Sequence, residues 1–266
     1  MRTVRAELAY DGSLFCGWQR QDGFPSVQAA VEDALASLLD TLVTVVGAGR
    51  TDTGVHALRQ VAHFHVDTRL DDDRLRHALN AHLAGGVVIN RLETCRPDFH
   101  ARFDARAKRY LYRVATTRFR PPFGRDHQHW INRPLDLRAM RDAARRLVGR
   151  HDFAAFGNAG SARKTTVRTL SAVRLIARRD HFAILVQGDG FLYNMVRNIA
   201  GTLIDVGSGK REPTAIDRAL AGGDRSLVGP TAPARGLYLV RVLYPEPVFT
   251  GRDRGPRGAA GLFPWT

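Results

Sequence analysis

The segment GAGRTDTGVHA at residues 47–57 places an arginine, a carboxylate and an imidazole among three glycines. Glycine allows the backbone to approach a ligand closely or to adopt positive φ. Asp52 lies between two threonines and two residues after Arg50, whose positive charge can keep a neighbouring carboxylate ionised. This pattern allows Asp52 to act as a nucleophile or base. The alternative, which the loop taken alone favours because Asp-X-Gly turns are common, is an Asx turn, in which Asp52 only accepts hydrogen bonds from its own loop.

The charge of the chain indicates a polyanionic partner. Among its 266 residues, 40 are basic and 26 are acidic, which gives a formal net charge of +14. Nearly all the basic residues are arginines, whose planar side chain grips phosphates with paired hydrogen bonds and stacks on bases. Such a field attracts nucleic acid. An arginine-rich composition with solvated faces is the alternative.

Composition also indicates the class and the compartment. Hydrophobic residues make up 44% of the chain and charged residues 25%, as in ordinary globular proteins. Cys16 and Cys95 are too few for a disulfide framework or a CxxC zinc site. Residues 1–12 lack the apolar core of a signal peptide, and no apolar run approaches the roughly 20 residues that span a bilayer. We therefore predict a soluble cytoplasmic protein with no membrane segment.

Hydrophobic periodicity and turn residues predict the elements that must position the glycine-rich segment, which interrupts an otherwise strand-like region. In the first half we expect strands at 2–10, 61–66 and 87–93, a helix capped by Ser26 and a helix from about Asp71. In the second half we expect, in chain order, a strand at 107–117, a helix from about Asp136, strands at 172–177 and 182–187, helices at 191–206 and 214–221, and a strand at 236–244.

This order of strands and helices occurs twice. It predicts an α+β fold of two pseudo-repeated halves that share a largely antiparallel mixed sheet, with helices packed on one face. We place an N-terminal half with the aspartate loop at 1–104 and a C-terminal half at 105–245. Residues 246–266 are expected to form an irregular tail, because they are rich in glycine and proline and have no periodicity.

Four segments resemble one family in the expected order. GAGRTDTGVHA closely resembles the signature loop of the tRNA pseudouridine synthase A family, written G-R-T-D-x-G-V-H-A. The others are ARFDARAKRYLYRV at 101–114, GFLYNMVRNIAGTLIDVG at 190–207 and ARGLYLVRVLYP at 234–245. The resemblance implies a cofactor-free isomerase that converts uridine to pseudouridine at tRNA positions 38, 39 and 40, in the anticodon stem-loop. It also implies an RNA-binding cleft on the open face of the sheet and a homodimer that binds tRNA.

The resemblance assigns roles to individual residues. Asp52 matches the nucleophile of the family, and Arg197 matches the basic residue that forms a salt bridge with it. Tyr110 matches the tyrosine that stacks on the uracil, where it is a possible general base for the C5 proton. Arg50 matches an arginine expected to contact the RNA backbone, and Thr53 stands where a smaller alanine is common. From the residues alone, Tyr110 would be a strand tyrosine with its hydroxyl at the surface. Arg197 would be either a surface arginine whose stem covers apolar neighbours or a buried arginine that needs a partner such as Asp52.

Two further loop residues, Thr51 and His56, are assigned to substrate binding, and His56 is expected to fix the loop by hydrogen bonding. The reaction breaks the N1–C1′ bond, turns the uracil and forms a C5–C1′ bond without net redox change. One ionised carboxylate is sufficient for it. Addition to C6, attack on C1′ and abstraction of a ribose proton to give a glycal all remain open.

Three other interpretations are weaker. The triplet at 52–54 spells the D-T-G of aspartic proteases, but those enzymes need two carboxylates that share a proton, and the chain has one such triplet. A non-catalytic RNA-binding protein would need the positive charge but no aspartate beside Arg50. Metal ligation is disfavoured, because no recognisable ligand set completes the histidine pairs, which are His63 with His65 and His127 with His129.

Overall fold

The computed structural model describes residues 1–83, 85–158 and 165–250. These residues contain ten β-strands and five α-helices. They divide into two compact units. The first comprises Met1–Arg106 together with the described residues from Leu239 to Thr250, and the second comprises Ala107–Tyr238.

The first unit is built on a central strand, β1, that pairs antiparallel with both β3 and β4, while β2 pairs with β3. Its elements are β1 (Arg2–Tyr10), α1 (Val27–Leu39), β2 (Val46–Gly47), β3 (His56–Val66), α2 (Asp72–His82) and β4 (Val87–Thr94). Alternate residues of β1 are buried, as expected for a strand with one face on the core. Each helix begins at an N-cap: Ser26 Oγ accepts from the Ala29 N–H at 3.2 Å, and the Asp71 carboxylate accepts from the Arg74 N–H at 2.8 Å.

In the second unit four strands pair antiparallel in the order β5-β9-β8-β7, and the short β6 pairs parallel with β5. The elements are β5 (Ala107–Ala115), β6 (His129–Trp130), α3 (Leu137–Arg146), β7 (Gly149–Asp152), β8 (Val167–Ala177), β9 (His181–Gly188), α4 (Met195–Gly207) and α5 (Ala215–Gly222). The last strand, β10 (Leu237–Leu243), begins in this unit and ends in the first.

Helix α4 is the buried centre of the second unit, since nearly all its residues are inaccessible to solvent. Gly201 lets it lie directly against the backbone of residues 228–232. A Cβ at that position would lie 1.8 Å from the Pro230 carbonyl oxygen, so the close approach requires glycine.

The predicted α+β class and largely antiparallel pairing are confirmed. The helix expected from 191 begins instead at Met195, because Asn194 has a left-handed backbone (φ 59°) that ends the preceding turn. The strand expected at 172 begins earlier, at Val167, where it pairs with β7. Of the predicted tail, residues 251–266 lie outside the described residues. Among the residues that are described, no helix combines the length and the apolar character needed to cross a membrane.

Candidate active site

Within the signature segment at 47–57, residues 48–55 form the loop that joins β2 to β3. The pairing of β1 with β3 fixes where this loop leaves the sheet. Tyr10 at the end of β1 lies opposite Ala57 near the start of β3. Within the loop the Val55 N–H donates to the Asp52 carbonyl oxygen at 3.0 Å. Gly54 has φ +77°, the positive value that type II and type I′ turns need at their third residue. Asp52 is therefore the first residue of a glycine-dependent turn, with its side chain half-buried.

The peptide that precedes Asp52 is held by residues that lie far away in sequence. The Trp18 N–H donates to the Thr51 carbonyl oxygen at 3.0 Å, and the Thr51 hydroxyl lies 2.8 Å from the Tyr10 hydroxyl. Gly17, with φ +98°, lies behind the same peptide. A Cβ on Gly17 would meet the Thr51 carbonyl oxygen at 2.7 Å and the Asp52 carbonyl carbon at 3.3 Å. Both the backbone and the side chain of Thr51 are thus fixed next to the carboxylate.

Buried side chains also hold the loop through hydrogen bonds. Gln60 is fully buried and donates to the Gly49 carbonyl oxygen at 2.8 Å, with the same nitrogen 3.5 Å from the Tyr10 hydroxyl. Burial raises the pKa of Tyr10 to about 12, although its hydrogen bonds with Thr51 and Gln60 act in the opposite direction. The phenol therefore stays neutral at physiological pH.

His56 joins the end of the loop to the segment after β1. Its ring is 2% exposed, and its Nδ1 accepts from the Gly12 N–H at 3.1 Å, with the Asp11 carboxylate 3.1 Å from the same nitrogen. A Cβ on Gly12 would lie 2.1 Å from the Val55 carbonyl oxygen. The two backbones therefore touch at Gly12 without an intervening side chain.

Tyr110 belongs to the second unit, in the middle of β5, where it pairs with Val186 of β9. The residue is 8% exposed. Its ring meets Phe191 edge to face, with centroids 5.1 Å apart and planes at 82°. Such a contact fixes the plane of the phenol ring.

Arg197 also belongs to the second unit, in the first turn of α4, and it is half-buried. Its Nε donates to the Ala232 carbonyl oxygen at 2.7 Å, and its Nη1 donates to Asn194 Oδ1 at 2.8 Å. The left-handed backbone of Asn194 thus places an acceptor beside the guanidinium. These two bonds give the planar group a defined orientation.

The structure brings four of the predicted site residues together on or beside one loop, namely Arg50, Thr51, Asp52 and His56. Arg50 is exposed, while Thr51 and His56 are buried. The residues that position this loop were missed from the sequence: Tyr10, Gly12, Gly17, Trp18 and Gln60. The glycines at residues 11–25, between β1 and α1, carry a usable signal, since glycine marks close backbone approach. Tyr10 and Gln60 have the pattern of ordinary strand residues.

In the histidine pair on β3, His63 with His65, the first ring is buried and hydrogen-bonded to the backbone. His63 is 6% exposed, its Nδ1 accepts from the Ala101 N–H at 3.2 Å, and its ring lies 4.8 Å from that of His100. Burial and the neighbouring histidines lower the pKa of His63 to about 4. The ring is therefore neutral at physiological pH and serves as an acceptor for the backbone.

The hydrogen bond between Tyr10 and Thr51 can be measured by a double-mutant cycle. We expect Tyr10→Phe and Thr51→Val each to lower the free energy of unfolding by about 1–3 kcal/mol, because each leaves a buried hydroxyl without its partner. The double variant should lose less than the sum. Urea unfolding of the four proteins measures the coupling, and Thr44→Val at an exposed threonine is the matched control. Additivity within about 0.5 kcal/mol would contradict the contact.

The known proteins that this chain resembles in sequence are tRNA pseudouridine synthases. The family model described as tRNA pseudouridine synthase matches residues 6–104 and 143–245, which include Asp52 and Arg197. The tRNA pseudouridine synthase A of Shouchella clausii is 42% identical over 256 residues, covering 96% of this chain and 98% of that protein. The enzyme of the same name from Acetivibrio thermocellus is 42% identical over 244 residues, with 92% and 100% covered.

A third relative, the tRNA pseudouridine synthase A of Geobacillus kaustophilus, is 43% identical over 244 residues, with 91% of this chain and 95% of that protein covered. Among solved structures, a chain of a Cbf5-Nop10-Gar1 complex matches with a TM-score of 0.37 and 11% identity, covering 90% of this chain and 50% of that chain. Because the family model covers most of the chain and the relatives align over nearly all of it, the chain belongs to the tRNA pseudouridine synthase family.

Proposed function

We propose that this protein isomerises uridine to pseudouridine at positions 38, 39 and 40 in the anticodon stem-loop of tRNA. One observation carries the proposal: Asp52 stands in the family's signature loop, and the peptide before it is held by Trp18 and Tyr10. The high identity to enzymes of that name over nearly the whole chain supports the same activity.

Asp52 is the proposed nucleophile. Converting uridine to pseudouridine requires cleavage of the N1–C1′ bond, rotation of the uracil and formation of the C5–C1′ bond, with no electrons gained or lost. Backbone contacts hold the peptide that precedes Asp52, so this part of the loop need not reorganise during the reaction. Addition to C6, attack on C1′ and formation of a glycal are all compatible with one positioned carboxylate.

The remaining site residues have supporting roles in this proposal. Tyr110 stacks on the uracil and is the possible general base for the C5 proton. Its edge-to-face contact with Phe191 fixes the plane of the ring for stacking. Arg197 is the basic partner of the catalytic carboxylate, with its guanidinium oriented by Ala232 and Asn194.

Three residues in or beside the loop complete the proposed substrate site. Arg50 is exposed and so can contact the RNA backbone, while the buried Thr51 and His56 shape the loop through their hydrogen bonds with Tyr10 and Gly12. A uracil in a stacked stem is out of reach of the carboxylate and must be extruded at a cost of a few kcal/mol. Stacking and phosphate contacts offset that cost.

Tritium release tests the activity. With bulk tRNA whose uridines carry tritium at C5, the protein should release label as the C5–C1′ bond forms, and pseudouridine should then map to positions 38 to 40. If pseudouridine maps only to other positions, the assignment of the target is disproved. Absence of release together with retained tRNA binding would identify a non-catalytic RNA-binding protein.

We further propose that the protein acts in the cytoplasm as a homodimer that binds tRNA. The polyanion-attracting charge of +14 supports the tRNA partner. Sedimentation equilibrium measures the assembly directly. A single species near the chain mass of 29.5 kDa at all concentrations would rule out the dimer.

A further inference from the structure

The connection between β5 and β6 exposes two phenylalanine rings among arginines. We call residues 118–125, RFRPPFGR, the aromatic–arginine segment. Phe119 is 75% exposed and Phe123 is 88% exposed. Burial of a large apolar side chain lowers the free energy. Two solvent-exposed rings four residues apart therefore indicate a surface that binds a partner.

The arginines of the segment are placed to act with the rings. The guanidinium carbon of Arg118 lies 5.3 Å from the centroid of the Phe119 ring. Arg125 contacts Asp126 at 3.5 Å, but both side chains are more than half exposed, and such pairs bind weakly. Aromatic faces combined with guanidinium groups are the usual platform for unpaired nucleotides, because bases stack on the rings and phosphates pair with the charges.

Hydrogen bonds at both ends hold the segment in place. At its start, the Thr117 hydroxyl donates to the Phe119 carbonyl oxygen at 2.7 Å, and Trp130 Nε1 donates to the Thr117 carbonyl oxygen at 3.0 Å. At its end, the His127 N–H donates to the carbonyl oxygen of Gly124, which has φ +67°. The rings therefore project from an anchored turn, which lowers the entropy lost when a ligand stacks on them.

We propose that the aromatic–arginine segment is a binding site for unpaired nucleotides of the RNA substrate. Phe119 and Phe123 stack on bases, and Arg118, Arg120 and Arg125 contact phosphates. The inference rests on the proposed function, since it assigns a surface to the RNA on which that function acts. RNA is favoured over a second copy of this chain because phosphates attract the three arginines, whereas the same segment of a second copy would bring arginines against arginines.

Binding measurements on two variants of the full chain test the site. The Phe119→Ala/Phe123→Ala variant should bind a single-stranded oligouridylate at least about tenfold more weakly, with an unchanged salt slope, because the rings carry no charge. The Arg118→Ser/Arg120→Ser/Arg125→Ser variant should also bind more weakly. Its plot of log affinity against log salt concentration should flatten by about 0.7 for each phosphate that the variant no longer binds.

Matched controls separate the site from general surface effects. Leu42→Ser removes a side chain that is 94% exposed, and Arg74→Ser removes a charge from a side chain that is 79% exposed. Both should bind the oligonucleotide like the parent protein. Circular dichroism of every variant should be unchanged, since all the altered side chains lie in solvent.

The outcomes distinguish this inference from the proposed function. Unchanged affinity in both segment variants, with normal tritium release from tRNA, would overturn the site and leave the function standing. Loss of a dimer in the phenylalanine variant, seen by sedimentation with unchanged RNA affinity, would overturn it in favour of a second copy. Weakened binding in a protein that releases no tritium would support the site while the proposed function fails.

Discussion

Asp52→Asn is expected to reduce tritium release from tRNA by at least about 10⁴-fold, because an amide cannot replace a carboxylate nucleophile. The substitution keeps the size of the side chain, and the turn beyond it is closed by a backbone hydrogen bond from Val55 that needs no carboxylate. The affinity for tRNA should therefore stay within a few-fold of the parent. Single-turnover release and filter binding on the same preparation measure the two quantities.

A control at another aspartate makes this test specific. Asp40→Asn removes the same charge at the C-cap of α1, where the backbone has φ 50°, a conformation that asparagine adopts readily. This variant should release tritium at the parental rate. Full release from Asp52→Asn would refute the proposed nucleophile, whereas loss of both release and binding would indicate a damaged loop.

Gly17→Ala is expected to lower kcat by about tenfold or more, because displacement of a catalytic group by about 1 Å costs about 100-fold and the added methyl group must shift the peptide by part of that distance. The new methyl group would lie 2.7 Å from the Thr51 carbonyl oxygen and 3.3 Å from the backbone at Asp52 and Thr53. Backbone atoms cannot rotate away as a flexible side chain can. The strain must therefore move the peptide that carries the carboxylate.

Gly23→Ala is the matched control for this prediction. Gly23 also has positive φ (+78°) and lies in the same connection between β1 and α1, but a Cβ there would meet nothing within 4 Å. Both variants bear the backbone penalty of about 1 kcal/mol or more, which thermal unfolding measures. Only Gly17→Ala should lose turnover. Equal kcat in the two variants would show that contact with the 51–53 backbone is unimportant for activity.

Local patterns predicted much of the fold because their causes are local. Ser26 and Asp71 were identified as helix starts from a side-chain acceptor followed by helical periodicity, and both accept the expected backbone N–H. The start of α4 was predicted too early, because only the observed left-handed backbone of Asn194 shows that the residues before it form a turn. Short strands such as β6 carry too few residues for any periodicity.

The sequence by itself determined the family signature, the α+β class and the candidate residues Asp52, Tyr110 and Arg197. A motif and a period of two or 3.6 residues can be read within a short window. Tertiary structure decided what holds Asp52 in place. Tyr10 meets Thr51 across 41 residues of sequence, and Gly17 touches the same peptide. Such contacts depend on the pairing of β1 with β3 and on space measured in tenths of an ångström, which no local pattern encodes.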